Sequence, residues 1–479
     1  MISTNNLIGR EKEISLLKSY ATSNRAEFIA VYGRRRVGKT FLINHVFSNQ
    51  LVFSMTGIIG GDKNAQMNAF LDAMDICGSP LKRAPSNWYE AFRELRHLLM
   101  PKMVEGKRNV IFIDELPCFD THLSDFTNAL GHFWNSWASL QPNLILVVCG
   151  SATSWMMTNV INSHGGLHNR ITHELHLQEF TLRETESYLQ FYGFDWDRLM
   201  VAQIYMIMGG IPYYLSLLNR QESLAQNIDR LFFKASGEMR REFNRMYKTL
   251  FAIPDPYISI VEFLYKTRQG KSRDEIAKAI GKDANGRLSQ MLQNLIDCDI
   301  IRFYRIKNKK ISARGGLYQL TDLYSIFYLT FVKGGTNEEQ FWTKSLNSPQ
   351  LNSWLGLSFE RLCHKHIPQI KSTLHIDTIK TEYYSWRGID DDGKTRAQID
   401  LVIERADKMV NLCEIKYSAV PYRFDKEEFD KCQRRYDDFR QSTGFKGGIV
   451  PTIITTYIPV RNAYSERFIA QITLNDLFI

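Results

Sequence analysis

The stretch "FIAVYGRRRVGKTFLI" (Phe28–Ile43) runs apolar, then through a glycine and three arginines to Gly-Lys-Thr, and back to apolar. A chain that turns through so much positive charge between two buried-type runs is built to meet an anion. Residues Gly33–Thr40 fit G-x-x-x-x-G-K-[ST], a pattern that arises by chance in about one chain in a hundred of this composition. Before it, "EFIAVY" predicts a short buried strand; after it, "KTFLINHVF" carries the 3.6-residue apolar period of a helix. At such a junction glycines let successive backbone N–H groups turn inward at the positive end of the helix. Gly33, Arg34, Arg35, Arg36, Val37, Gly38, Lys39, Thr40 and Phe41 are therefore expected to cradle a nucleotide. Lys39 would reach the β- and γ-phosphates of ATP, and the Thr40 hydroxyl would ligate Mg²⁺. On this reading the three arginines are there because the loop holds polyphosphate.

A nucleotide hydrolase needs a second acidic strand end, and "NVIFIDELPCFD" supplies one. Val110–Ile113 is an apolar run, and Asp114 follows where a strand meets a crevice and a carboxylate can hold the Mg²⁺ water shell. Glu115 comes next and is the candidate general base for the attacking water. The acidic pair lies 75 residues beyond Lys39. A third apolar run, "NLILVVCGSATSWM", ends in Gly150 and Ser151. That hydroxyl either senses the γ-phosphate or caps the next helix. Arg170, just before "ITHELHL", either contacts the γ-phosphate, in cis or from a neighbouring subunit, or is a surface arginine. His164, His168, His173 and His176 have no ligand spacing with carboxylate or cysteine support.

The whole-chain numbers agree with a globular protein of several domains. There are 479 residues, 44% hydrophobic and 23% charged, with a net charge of +9. The basic balance favours polyanionic partners without naming one. Seven cysteines stand singly with no framework spacing, which suits a reducing compartment. The N-terminus turns charged within ten residues, unlike a signal peptide, and no run reaches the ~20 apolar residues of a membrane span. The expectation is a soluble, cytoplasmic protein.

"LIGREKEISLL", "GRRRVGKTFLI", "VIFIDELP", "VVCGSATSWM" and "GGIPYYLSLL" together resemble the archaeal-type ATPases of the STAND branch of P-loop proteins, relatives of AAA+ ATPases. The resemblance covers residues 1–250. It implies that Ile8-Gly9-Arg10 lies near the base, that Ser151 is the sensor, and that Gly210-Ile211-Pro212 belongs to a helical lid. Where that family often has Gly-Arg, this chain has Asn169-Arg170.

Residues 251–320 read as a winged helix-turn-helix. "SRDEIAKAIG" opens on a capping box, Ser272 with Glu275, and stops at Gly281. "GRLSQMLQNLIDCD" puts Leu288, Met291, Leu292, Leu295 and Ile296 on one helical face. "IIRFYRIKNKKISARGGLYQL" then reads as two strands around a basic turn. Arg302, Arg305, Lys307, Lys309, Lys310 and Arg314 suit DNA phosphates. On the second helix, Arg287, Gln290, Gln293 and Asn294 either read base edges or form a solvated face. In the ATPase branch just named, such a unit often packs on the nucleotide domain as a lid.

Residues 321–479 carry a second set of acids. "LNSWLGLSFERLCHKHI" predicts a helix with Leu355, Phe359 and Leu362 on one side and Glu360 among them. "AQIDLVIER" and "NLCEIKYS" predict strands joined by a turn, with Asp400 in one and Glu414 in the next. Strand residues two apart share a face, so Glu414 and Lys416 point the same way, and a hairpin brings Asp400 beside them. Like charges repel at close range, and a divalent cation removes the difficulty. Asp400 and Glu414 would be hard oxygen ligands for Mg²⁺ or Mn²⁺. Lys416 would orient or deprotonate the attacking water, and Glu360 would complete the metal shell. "CHKH" (Cys363–His366) is not a zinc set, because a helix points neighbours in different directions.

"ID" at 399–400, "EIK" at 414–416 and the helical Glu360 resemble the PD-(D/E)xK nuclease superfamily, with Ile399 in the proline's place. Behind such an ATPase they resemble the domain of unknown function called DUF234. The expected fold is thus α/β multidomain: a P-loop NTPase parallel sheet with helical lid, a winged helix, and a restriction-endonuclease-like domain. The expected activity is ATP hydrolysis coupled to Mg²⁺-dependent cutting of DNA. The competing expectations are an ATP-controlled regulatory switch and a DNA-binding regulator, each with a non-catalytic C-terminal domain. A homo-oligomer stays open.

Overall fold

The computed structural model describes residues 7–103, 106–122, 124–163, 165–267, 270–304, 316–336, 338–389 and 395–479. Four largely apolar runs and one alternating polar segment become the strands β1 (Glu27–Tyr32), β2 (Leu51–Thr56), β3 (Asn109–Asp114), β4 (Leu144–Gly150) and β5 (His173–His176). They form one sheet in the order β2-β3-β4-β1-β5, and every pairing is parallel. β3 and β4 are buried along their full length, as strands covered by helices on both faces must be. Alternate residues feed two cores: Phe28, Ala30, Ile111 and Ile113 one way, Ile29, Val31, Val110 and Phe112 the other. The C-terminal ends of β1, β3 and β4 share one edge and carry the Gly33–Gly38 loop, Asp114 and Gly150. Gly33 is obligatory there, because a Cβ on it would stand 2.2 Å from the Leu177 carbonyl oxygen.

After the parallel sheet and the helices that follow it come helices Asp255–Thr267, Arg273–Ala279 and Gly286–Asp297. An antiparallel pair follows, β6 (Ile301–Tyr304) with β7 (Leu317–Leu320). The Ser272/Glu275 capping box is present. Leu288, Met291, Leu292 and Leu295 are buried, while Ile296 is only partly so. Arg305, Lys307, Lys309, Lys310 and Arg314 lie outside the described residues.

The last part of the chain is a separate mixed sheet. Its strands are β8 (Thr381–Ile389), β9 (Thr395–Arg405), β10 (Met409–Lys416), β11 (Gly448–Thr455) and β12 (Ala470–Thr473), in the order β12-β11-β10-β9-β8. β8–β9 and β9–β10 are antiparallel; β10–β11 and β11–β12 are parallel. Helix Pro349–Lys365 buries Leu355, Phe359 and Leu362 and packs on β10. A single contiguous apolar cluster runs from Leu17, through helices Arg198–Met208 and Glu238–Leu250 and the middle helices, to Ile415 and Phe478. The C-terminal sheet is thus packed against the rest of the molecule. No helix among the described residues is long and apolar enough to cross a membrane.

Candidate functional sites

The loop after β1 is shaped by positive-φ residues, Gly33 at 144°, Arg36 at 70° and Gly38 at 93°. Gly38 leads directly into helix Lys39–Val46, so backbone N–H groups gather at that helix's start. Lys39 is 6% exposed, and its ammonium donates to the carbonyls of Gly33 (2.8 Å) and Arg34 (3.0 Å). Burial holds its pKa below the ordinary lysine value. The Thr40 hydroxyl donates to Asp114 Oδ2 at 2.5 Å, which joins the two candidate Mg²⁺ ligands across loop and strand. Burial raises the Asp114 carboxyl above its usual range, partly offset by that bond from Thr40. A hard divalent cation replaces a proton at such a site, so the Thr40–Asp114 pair fits Mg²⁺. Val37 is buried, and Phe41 is exposed on the first turn of the helix.

The arginines depart from the sequence reading. Arg34 is buried against Asp322 in an ion pair, with Nη2 on Met246 Sδ at 2.9 Å. Arg35 donates to the Thr249 hydroxyl at 2.8 Å. Arg36 pairs with buried Glu242 at 2.9 Å and lies 4.0 Å over the Tyr213 ring. All three side chains therefore bind helix Glu238–Leu250 or the segment after β7. They tie the loop to helix Glu238–Leu250 and to the segment after β7, which leaves the loop's backbone N–H groups and Lys39 for the expected phosphates.

Arg10 also turns to protein. Its Nη2 donates to the carbonyls of Gln178 (2.7 Å) and Val37 (3.2 Å), so it braces the loop from behind. Gly9 packs on Glu184, which accepts from the Arg10 N–H at 2.9 Å. Gly210, Ile211 and Pro212 make a tight corner: the Phe180 N–H donates to the Gly210 carbonyl at 2.7 Å, and Pro212 opens a short helix. Ser151 is buried; its hydroxyl donates to Glu115 Oε1, and its N–H to Oε2 at 3.2 Å. Sensor and base candidates thus hold each other. Arg170 sits at the other edge of the sheet. Two residues on, Thr172 donates to the Phe28 carbonyl, so five residues of strand, roughly 17 Å, separate that level from Gly33. Of the two phosphate roles expected for Arg170, the in-cis one does not fit this geometry.

At the second site β9 and β10 form the hairpin, with Leu401 opposite Cys413. Asp400 Oδ2 accepts from the Ile415 N–H at 3.1 Å. Glu414 is 4% exposed, so its contact with Lys416 (2.9 Å) is buried and not a surface pair. Its other oxygen accepts from Arg435 on helix Lys426–Thr443. Glu360 projects from helix Pro349–Lys365 into the same charge cluster. Burial, then the Asp400 charge, raises the Glu360 carboxyl, while burial, then Glu414, raises Asp400. Among the described residues no three His, Cys, Asp or Glu groups already converge on one point as metal ligands. Carboxyls raised by burial and by a neighbouring carboxylate, Glu360 by Asp400 and Asp400 by Glu414, are nonetheless the donor chemistry that a divalent cation would relieve, so the set fits Mg²⁺ or Mn²⁺.

Two residues of this site escape a sequence reading. His364 donates from Nε2 to the Asp400 carbonyl at 3.0 Å and accepts at Nδ1 from Arg302 at 3.1 Å. Arg435 looks like one more solvated base on an amphipathic helix, yet it binds Glu414. On the middle helices the amides turn to one another: Gln290 to Asn294 (2.9 Å), Asn294 to the Tyr257 hydroxyl (2.8 Å) and Gln293 to Asp297 (2.7 Å).

The parallel sheet, its glycine loop and the Lys39, Thr40 and Asp114 geometry define a P-loop nucleoside-triphosphatase. Residues 7–218 match the family described as an ATPase domain predominantly from Archaea, which supports an ATP-binding and ATP-hydrolysing role for that part of the chain. An uncharacterized protein of Methanocaldococcus jannaschii is 23% identical over 439 residues, covering 89% of this chain and 91% of that one. An uncharacterized ATP-binding protein of the same organism is 40% identical over 45 residues, 9% of this chain and 76% of that protein. Among solved structures, the Walker-type ATPase of Pyrococcus abyssi matches 69% of this chain and 98% of that one, with 16% identity and a TM-score of 0.47.

Proposed function

We propose that this protein couples an ATP-hydrolysing domain to a metal-dependent nuclease domain of the PD-(D/E)xK type that cuts DNA. The observation that carries it is that Asp400, Glu414 and Lys416 lie together at one end of the β9–β10 hairpin, with Glu360 near enough for its carboxyl to feel the Asp400 charge. At the first site Lys39 leaves the Gly33 and Arg34 carbonyls for the β- and γ-phosphates, Thr40 and Asp114 hold Mg²⁺, and Glu115 takes the proton of the attacking water. Glu115 can do so once Ser151 turns its hydroxyl to the γ-phosphate. At the second site Asp400, Glu414 and Glu360 hold the cation, and Lys416 orients the water and steadies charge on the scissile phosphate. When bound, the divalent cation neutralises phosphate charge at both sites and at the second supplies an acidified water. Arg170 serves only from a neighbouring subunit in a homo-oligomer.

The unit at residues 251–320 acts as a winged-helix lid more than as a DNA reader. Its Gln290, Gln293 and Asn294 amides are engaged with one another, with Tyr257 and with Asp297. The regulatory-switch reading is favoured by a separate observation, the engagement of Arg34, Arg35 and Arg36 with Asp322, Thr249 and Glu242. Both readings are compatible if ATP governs the cutting. Incubating the pure protein with Mg²⁺ or Mn²⁺ and plasmid or linear DNA, with and without ATP, tests the proposal. Cleavage lost in Asp400→Ala and Lys416→Ala supports it; equal products from wild type and both variants would refute the nuclease half and leave the switch.

A further inference from the structure

Where the ATPase domain, the β6–β7 pair and the C-terminal domain meet, the fold encloses a cavity of about 300 Å³. That volume is at the small end of sites that hold metabolite-sized ligands. Its lining includes Arg34 of the nucleotide loop and Arg361, the neighbour of Glu360 in the chain, but not Lys39, Thr40, Asp114, Glu360, Asp400, Glu414 or Lys416. Four cationic side chains line it, Arg34, Arg302, Arg361 and Lys365, against two carboxylates, Glu179 and Asp299. Several of these charges are answered within the protein. Arg34 pairs with Asp322, Lys365 with Glu179 at 2.5 Å, and Asp299 with His176 at 3.2 Å.

Arg302 is different. Its Nε donates to Gln319 Oε1 at 3.0 Å and its Nη1 to His364 Nδ1 at 3.1 Å. A ring nitrogen that accepts from a guanidinium carries no proton, and the other ring nitrogen of His364 donates to the Asp400 carbonyl. Both partners are therefore neutral. The guanidinium also lies 5.1 Å from the Tyr304 ring, and no carboxylate among the described residues forms an ion pair with it. A half-buried guanidinium met only by neutral acceptors and a ring is incompletely compensated. A guanidinium has five N–H donors, and among the described residues only its Nε and one Nη1 donor find acceptors.

We propose that this cavity is a binding site for a small phosphomonoester, whose phosphate takes the two-pronged contact that Arg302 offers. A phosphomonoester's terminal oxygens match the planar fork of a guanidinium, and its negative charge would meet Arg302, whose hydrogen-bond partners Gln319 and His364 are neutral. The occupant would be two hydrogen bonds from the Asp400 backbone, through Arg302 and His364, and would touch the element that carries Glu360. The site stands whether or not the C-terminal domain cuts DNA.

The test uses the full-length protein saturated with Mg²⁺ and ADP, so that the nucleotide loop is already filled. Ribose 5-phosphate, inorganic phosphate and ribose are titrated in by calorimetry, with phosphorus NMR line widths as a second readout. Ribose 5-phosphate is expected to bind saturably at one site per chain, phosphate more weakly, and ribose not at all. Arg302→Gln should weaken ribose 5-phosphate at least about tenfold while ADP affinity stays within about twofold. If that variant does not fold, Arg302→Lys decides, with an expected loss of at least about threefold from the missing second prong. No saturable binding up to about 10 mM overturns the proposal, since that affinity would be below the ~1 mM scale of weak metabolite sites. Undiminished binding to a folded Arg302 variant overturns it as well.

Discussion

Replacing Asp322 by Asn isolates one charge of the link between the nucleotide loop and the C-terminal part. Asp322 does two jobs: it pairs with Arg34, and its Oδ2 accepts from the Ser325 N–H at 2.9 Å as a helix cap. Asparagine keeps the cap. What it removes is the charge, leaving Arg34, itself 5% exposed, buried without a counter-ion. Such half-broken pairs cost about 3–5 kcal/mol. At ~2–4 °C per kcal/mol for a cooperative unit of 150–250 residues, 3 kcal/mol lowers the first thermal transition by about 6–12 °C. Arg34→Met with Asp322→Asn removes both charges, and most of the loss should return. The effect has a pH signature. Burial raises the Asp322 carboxyl, but the Arg34 charge and its hydrogen bonds outweigh burial, and the net shift is downward. A lowered carboxylate pKa stabilises the fold above the ordinary carboxylate range and loses that contribution as pH falls through the folded value. The gap between wild type and Asp322→Asn should therefore be full at pH 7 and shrink below about pH 4. Scanning calorimetry at pH 7 and at pH 3.5 reads both. A shift under about 2 °C at pH 7, or a gap that widens in acid, would refute the claim that this pair clamps the loop.

Three further outcomes follow from the geometry. Lys39→Ala should abolish ATP binding in a filter or calorimetric assay, and Glu115→Gln should bind ATP but turn over at least about a hundredfold more slowly. In the metal-free protein, burial and the Glu414 charge carry Asp400 to about 7, and burial and the Asp400 charge carry Glu360 to about 8. Raised carboxylate pKa values mean that the folded state holds the extra protons, so their stabilising contribution is full near pH 4 and is lost by about pH 8. Thermal scans should show that decline, Asp400→Asn should flatten it, and Mg²⁺ should offset it at pH 8. Finally, Arg36→Ala removes the Glu242 pair and the Tyr213 stack; ATP should still bind, but the difference in protease sensitivity of the lid with and without ATP should shrink.

What the sequence reveals here is local chemistry. The Gly33–Thr40 loop, the acids at 114–115 and the Ser272/Glu275 cap depend on residues a few positions apart, so spacing alone exposes them. The hairpin that sets Asp400 near Glu414 is equally short-range. The destinations of Arg34, Arg35 and Arg36 are not legible, because Asp322 is 288 residues from Arg34 and nothing in its surroundings marks it as a partner. Next to a phosphate-binding motif, charge suggests phosphate; in the fold the same charge fastens the loop to the lid. His364 is invisible for another reason, since its acceptor is the backbone carbonyl of Asp400, which has no letter in the sequence. The place of Arg170 follows from strand direction: the turn before a strand parallel to β1 lies at the N-terminal edge, away from the loop. Nor does composition announce that one apolar cluster joins the ATPase lid to the C-terminal sheet.

The central claim, a second phosphorus-chemistry site behind an ATPase, is tested most directly by titrating Mn²⁺ into the ADP-loaded protein and into its Asp400→Ala variant, with DNA cleavage followed in the same samples. The account predicts one additional saturable Mn²⁺ site in wild type, lost in the variant, with nicking that appears as this site fills. The same Mn²⁺ stoichiometry in both proteins, with intact DNA in both, would contradict it.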